Sequence, residues 1–295
     1  MIFTIKYSAF RVIIARVYFK SPFLESDHTM ILSILSIFCY GVAGIAIMRS
    51  VFVKSKQQIH PLAYLAWAGL LFHIILLSQQ ILGSTKIDIS TFKALSLTSV
   101  IMLLIILPEI KRRLDIALVI IPLSAVIVGC SVIFRTHNFV ETQQPITLGI
   151  HIISSIAAYA ILSLAATQAI FLYLRDKFLK KECNISFIQV LNRLPPLMRM
   201  EASLFRLLTI GFILLSISLI SGLDFFNLWF TKPFIHKTIL SLIAWAMFGS
   251  LLLAHRVFGL RGKHAIRWML IAFVVLIVGF TGTRLIQEFL LNRIN

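Results

Sequence analysis

The sequence predicts an all-α fold: a polytopic integral membrane bundle of about eight transmembrane helices, with N- and C-termini outside. Three observations carry that expectation. The first is composition: 59% of the 295 residues are hydrophobic and 13% charged, where a soluble domain carries roughly 45–50% apolar and about 25% charged residues. Mean hydropathy is +0.95. The second is a series of apolar runs that each approach the roughly 20 residues a helix needs to cross a bilayer. The third is the alternation of Lys and Arg between successive loops.

In chain order, the apolar runs place spans at about 31–48, 62–83, 94–110, 116–134, 150–174, 206–228, 237–257 and 268–290. One set of alternate loops, with the turns flanking it, holds 17 basic residues, among them Lys111, Arg112, Arg113, Arg175, Arg256, Arg261 and Lys263. The other set, with the C-terminal end, holds 7. Positive charge marks the cytoplasmic side of a membrane protein. The formal net charge of +17 is therefore topological, and no nucleic-acid partner is expected. Membrane lipid is the partner the composition demands.

Residues 1–29 do not follow the pattern. They carry Lys6, Arg11, Arg16 and Lys20 on the side where basic residues are sparse. The segment is too interrupted for a span and has no small-residue cleavage site of the signal-peptide kind. It reads as an N-terminal extension, either a misplaced start or an amphipathic segment lying on the membrane surface. Residues 30–295 read as a single membrane domain.

The stretch His151–Leu174 organises the rest. At four-residue spacing it carries His151, Ser155, Tyr159, Ser163 and Thr167 on one helical face. The hydroxyls suit back-bonding to their own helix or packing against neighbours. His151, at the outer mouth of span 5, is costly in a membrane unless it finds a partner.

Histidine is also the only side chain that suggests chemistry elsewhere. His73 lies mid-span in AWAGLLFHIILL, and His255 lies near the inner end of span 7. Neutral imidazole can ligate haem iron or simply bond a neighbouring hydroxyl or carbonyl, and the residues alone leave both open. His60, His137, His236 and His264 fall in loops. Cys39, Cys130 and Cys183 form no C-x-x-C pair, so thiol exchange and a zinc site have no support. There is no phosphate-binding G-x-x-x-x-G-K-[ST] motif. Nor are there paired intramembrane carboxylates or Gly-Pro-broken helices of the transporter kind.

Three stretches resemble the cytochrome c assembly protein family. His151, Ser155, Tyr159 and Ala160 match its H-x-x-x-S-x-x-x-Y-A at an outer helix start. LPPLMRMEASLFRLLTIGFILL matches its L-P-x-L, acidic, aromatic-Arg and Gly-Phe-x-Leu-Leu series through Leu197, Glu201, Phe205, Arg206, Gly211 and Phe212. Lys237, Trp245, His255, Gly259 and Gly262 match a third series by spacing. Within that family the chain looks most like a compact eight-span branch. The resemblance implies a haem-handling protein of the bacterial inner membrane, with no covalent chemistry of its own. It implies that His73 and His255 hold haem within the bundle and that His151 is an outward-facing haem ligand. His73 and His255 are the implied ligands to haem iron. Another membrane or periplasmic protein is the implied partner.

The chain departs from the pattern in two places. FFNLWFTKPFIHK stands where the family has the tryptophan-rich W-G-x-x-W-x-W-D-P-K, and TRLIQEFLLNRIN supplies no second outward histidine. The alternative is a non-haem scaffold or accessory protein that stabilises a membrane partner such as a transporter.

The charge asymmetry makes one direct prediction. A C-terminal alkaline phosphatase fusion is expected to be active and a C-terminal green fluorescent fusion dark. The reverse pair of results would invert the topology.

Overall fold

A computed structural model describes residues 22–52, 59–82, 87–88, 90–134, 139–140, 146–179, 195–223 and 232–282. Its helices are α1 (Pro22–Phe52), α2 (Ile59–Leu82), α3 (Thr91–Ile106), α4 (Leu114–Ile133), α5 (Ile146–Leu179), α6 (Leu197–Gly222), α7 (Lys232–Phe258) and α8 (Gly262–Ile277). A 3-10 turn, Leu107–Glu109, extends α3, and a π-helical turn, Val278–Gly282, extends α8. Among the described residues, eight helices are long and apolar enough to cross a membrane. The only strands described are two-residue segments, β1 (Ile87–Asp88) and β2 (Phe139–Val140). They pair antiparallel and link the α2–α3 and α4–α5 connections. The fold is the all-helical membrane bundle that the hydropathy pattern predicts.

Two span boundaries differ from that reading, for one reason. The sixth span was expected at 206–228, yet α6 starts at Leu197, directly after Pro195 and Pro196. The Pro196 carbonyl accepts from the N–H groups of Arg199 and Met200 and so opens the helix. The eighth was expected at 268–290, yet that span covers Gly262–Phe280. Arginine did not end either helix. Arg199, Arg206 and Arg267 are exposed on helix surfaces, where a long cationic side chain can reach the polar zone while its backbone stays helical. The sequence places the N-terminal extension at residues 1–29. The described part of α1 begins at Pro22, and the rest of that segment lies outside the described residues.

The hairpin between α7 and α8 closes on two glycines. Gly259 and Gly262 have φ of +64° and +67°, a left-handed conformation that glycine adopts without a Cβ clash. The Leu260 N–H reaches back to the Ala254 carbonyl at 3.2 Å.

In a bilayer, helices gain nothing by hiding apolar surface from lipid, so close backbone approach and dispersion must hold them together. The most extensive helix contact is between α5 and α6, followed by α1 with α2 and α1 with α4. Glycine enables the first two of these. A Cβ at Gly211 would lie 2.7 Å from Cγ of Leu162, and one at Gly69 would lie 2.9 Å from the Tyr40 ring. The α3 span is the most enclosed, 61% buried against 22% for the α7 span. It sits at the centre, packed on α2, α4 and α5.

Gly211→Val is expected to destabilise the protein by roughly 1–3 kcal/mol through overpacking. A lowered thermal midpoint in detergent would report it. Gly41→Ala, where nothing lies within 4 Å of the new Cβ, should leave the midpoint unchanged.

Candidate functional site

The three candidate histidines sit in three different settings. His73, on α2, is 0% exposed. Its Nδ1 meets the Tyr40 hydroxyl from α1 at 3.3 Å, and its Nε2 meets the Ser96 hydroxyl from α3 at 2.7 Å. Tyr40 and Ser96 are themselves 0% exposed. Each neutral imidazole has one donor and one acceptor nitrogen, and here both are taken. The group is a closed polar clasp across three helices.

His151 sits near the start of α5. Its Nδ1–H donates to the Ser218 carbonyl at the far end of α6, at 2.7 Å. Ser155 donates to the His151 carbonyl and pairs with the Ser218 hydroxyl at 2.8 Å. Farther along the same face, Ser163 and Thr167 bond back to the carbonyls of Tyr159 and Ser163. The hydroxyls of Ser163 and Thr167 are therefore satisfied within α5, while the start of the stripe reaches α6. Tyr159 packs against Phe280 with ring centroids 4.3 Å apart and planes tilted by 37°.

His255 lies in the last turn of α7. Its Nδ1–H donates to the Leu260 carbonyl at 2.9 Å, and its ring stacks on Phe205 of α6 with centroids 3.4 Å apart and planes 10° apart. Because a carbonyl can only accept, Nδ1 carries the proton and Nε2 of the neutral ring keeps a lone pair. Nε2 has no hydrogen-bond partner among the described residues, and the ring is partly exposed. A metal-binding histidine usually donates its other ring N–H to a carbonyl or carboxylate in this way, which fixes its tautomer and orientation.

Six of the residues that carry the family resemblance meet in one seam between α6 and the α7–α8 hairpin. Phe205 lies on His255. Glu201 Oε1 accepts from the Gly262 N–H at 3.4 Å. Phe212 stacks on Trp245 at 5.6 Å, and the Trp245 indole N–H donates to Ser216 at 2.8 Å. Trp245 therefore packs inside the bundle.

The fit to haem iron follows from this geometry. His255 and His151 each anchor Nδ1–H on a carbonyl, as an iron ligand would. His73 does not fit in this arrangement, because ligation would require it to release Ser96 or Tyr40. Depth separates the pair as well. By helix rise, His73 lies roughly 15 Å below the start of its span and His255 only about 5 Å from the end of its own. Lys237 and the C-terminal segment expected to lack a second histidine lie outside the residues whose side chains are described.

Sequence reading missed one buried polar pair. Asp115, placed beforehand just outside span 4, belongs to α4 and is 1% exposed. Gln168 of α5, 2% exposed, donates to its Oδ2 at 3.0 Å. Asp115 Oδ1 has no hydrogen-bond partner among the described residues. A lone Asp beside three basic residues gave no sequence signal for burial. Lys93, read as a loop residue, is likewise 8% exposed on α3 and donates to the Gln80 carbonyl at 3.2 Å.

Residues 57–291 match the cytochrome c assembly protein family. The chain belongs to that family. The inner membrane protein YpjD of Escherichia coli K12 is 27% identical over 262 residues, covering 88% of this chain and 98% of the relative. The YpjD of Escherichia coli O157:H7 matches to the same extent. An uncharacterised 28.8 kDa protein of Azospirillum brasilense is 30% identical over 149 residues, 50% of this chain and 54% of that relative. No solved structure matches the chain significantly. The protein is a multi-pass protein of the inner membrane, and family membership supports a membrane role in cytochrome c maturation.

The His73 clasp is expected to be structural. Tyr40→Phe and Ser96→Ala should each lower stability by about 1 kcal/mol, the usual worth of an intramembrane hydrogen bond. Thermal unfolding in detergent measures it, and a double variant as stable as wild type would refute the clasp.

Proposed function

We propose that the protein binds haem as cargo during cytochrome c-type assembly, with His255 as the principal iron ligand inside the bundle. What supports this reading is the Phe205–His255–Leu260 arrangement. It fixes the ring plane, fixes the tautomer and presents Nε2, using residues from two of the three stretches that match the family. Haem supplies an iron that takes axial imidazole and a broad apolar ring that suits helix surfaces. The chain's part is orientation. Phe205 holds the imidazole face, and the Leu260 carbonyl raises the basicity of Nε2 through the Nδ1–H bond. Glu201 pins the hairpin at Gly262. His151 also anchors Nδ1–H on a backbone carbonyl, at the opposite end of the bundle, and is proposed as the outward-facing ligand. No catalysed reaction is assigned.

A second reading has its own support. The closed Tyr40–His73–Ser96 clasp is what a scaffold needs, and a scaffold of this fold would stabilise a membrane partner without binding haem. A visible spectrum separates the two. Protein purified from haem-replete cells is expected to show a Soret band that His255→Ala largely abolishes and added imidazole restores. His73→Ala should lower the band only as far as it lowers the yield of folded protein. A wild type without haem under these conditions would favour the scaffold. Full retention by His255→Ala would overturn the ligand assignment.

A further inference from the structure

The α3–α4 connection folds back over the first turns of α2 and leaves a cleft of about 420 Å³ between them. One wall is aromatic: Tyr64 and Trp67, 71% and 39% exposed. The other wall is the turn Pro108–Arg112, which places the exposed Lys111 and Arg112 at the rim. The turn is held by the Glu109 carbonyl, which accepts from the N–H groups of Arg112 and Arg113 at 2.8 and 3.0 Å. Glu109 also lines the cleft, but its carboxylate pairs with Arg113 at 2.9 Å. The rim is therefore net cationic.

Depth identifies the occupant. Tyr64 and Trp67 are the second and fifth residues of a span that starts at Ala63. By helix rise they lie roughly 2–6 Å below the span's end, where headgroups meet acyl chains and aromatic side chains concentrate. A ligand here meets cations on the water side and aromatic rings on the lipid side. That is the chemistry of an anionic phospholipid, with a phosphate at the rim and an acyl chain along the rings. A second cleft, of about 320 Å³, repeats the build at the same end of the bundle, with Trp268 beside Arg267 and His264.

We propose that the cleft between α2 and the α3–α4 turn is a binding site for an anionic phospholipid, its phosphate held by Lys111 and Arg112 and its upper acyl chain packed on Trp67. The site is independent of haem and of the direction in which the chain crosses the membrane.

Full-length protein in nanodiscs tests it, with quenching by brominated lipid as the readout. The Trp67 signal is taken as the difference between wild type and Trp67→Phe. Brominated phosphatidylglycerol is expected to quench that signal at a roughly thirty-fold lower mole fraction than brominated phosphatidylcholine, as two basic side chains near the surface predict. The preference should vanish in Lys111→Gln/Arg112→Gln. Arg112→Gln alone, which should weaken it, serves if the double variant cannot be purified. Equal quenching by the two lipids would overturn the proposal, as would a preference that survives loss of the cations. Relief of the quenching by inorganic phosphate would assign the site to a soluble anion instead, and would also overturn it.

Discussion

Inside the hydrocarbon there is no water to satisfy a polar group, so every donor and acceptor must find its partner in protein. This constraint organises the interior of the bundle. Thr98, Ser124, Ser163, Thr167 and Thr209 meet it locally, each bonding the carbonyl four residues back on its own helix. Several larger polar side chains instead tie two or more helices together. His73 joins α1, α2 and α3. The Asp115–Gln168 pair joins α4 to α5. Trp245 joins α7 to α6, and His151 joins α5 to the end of α6. The polar contacts therefore decide which helices are neighbours, while glycine at positions 69 and 211 decides how close they come.

The same constraint explains why α6 carries so much of the site. Its residues Glu201, Phe205, Phe212 and Ser216 face the α7–α8 hairpin, and Gly211 faces Leu162 of α5. A helix between two partners has two faces that must both fit. A Cβ at position 211 meets Leu162 at 2.7 Å, and Phe212, one residue on, stacks on Trp245. The spacing of these residues in the sequence is the imprint of that double packing.

Much of this was legible beforehand and some was not, for physical reasons. Long apolar runs reveal spans because bilayer thickness imposes a length, and all eight were found. Their ends were less legible: the sequence marks where charge begins, but Arg206 and Lys93 show that a charged side chain can belong to the helix. The resemblance picked out Glu201, Phe205, Trp245, His255 and Gly262 without showing that they meet, since contacts between α6 and the α7–α8 hairpin span 29 to 61 residues of sequence. His73 was visible as an embedded imidazole. Whether it was a ligand or a clasp depended on Tyr40 and Ser96, which are 33 and 23 residues away and unremarkable by themselves. Asp115 was invisible because its partner, Gln168, is 53 residues distant.

The geometry also separates two kinds of histidine. One is enclosed, with both nitrogens hydrogen-bonded to hydroxyls of neighbouring helices. The other two stand near helix ends, where Nδ1–H is anchored on a backbone carbonyl, and both are held by α6: Ser218 supports His151 and Phe205 supports His255. These supports are 13 residues apart on one continuous helix, so about 20 Å separates them at the usual rise. An iron takes axial nitrogens at about 2 Å, so no single haem bridges both supports while α6 stays intact. If the protein handles haem, His255 and His151 are then two stations near opposite membrane surfaces rather than one pair. Passage between them would require the porphyrin to move along α6, over a surface that offers Ile, Leu and Phe side chains and hydroxyls already bonded to their own helix. That surface would favour an apolar ring without holding it, which is the property a transfer path needs.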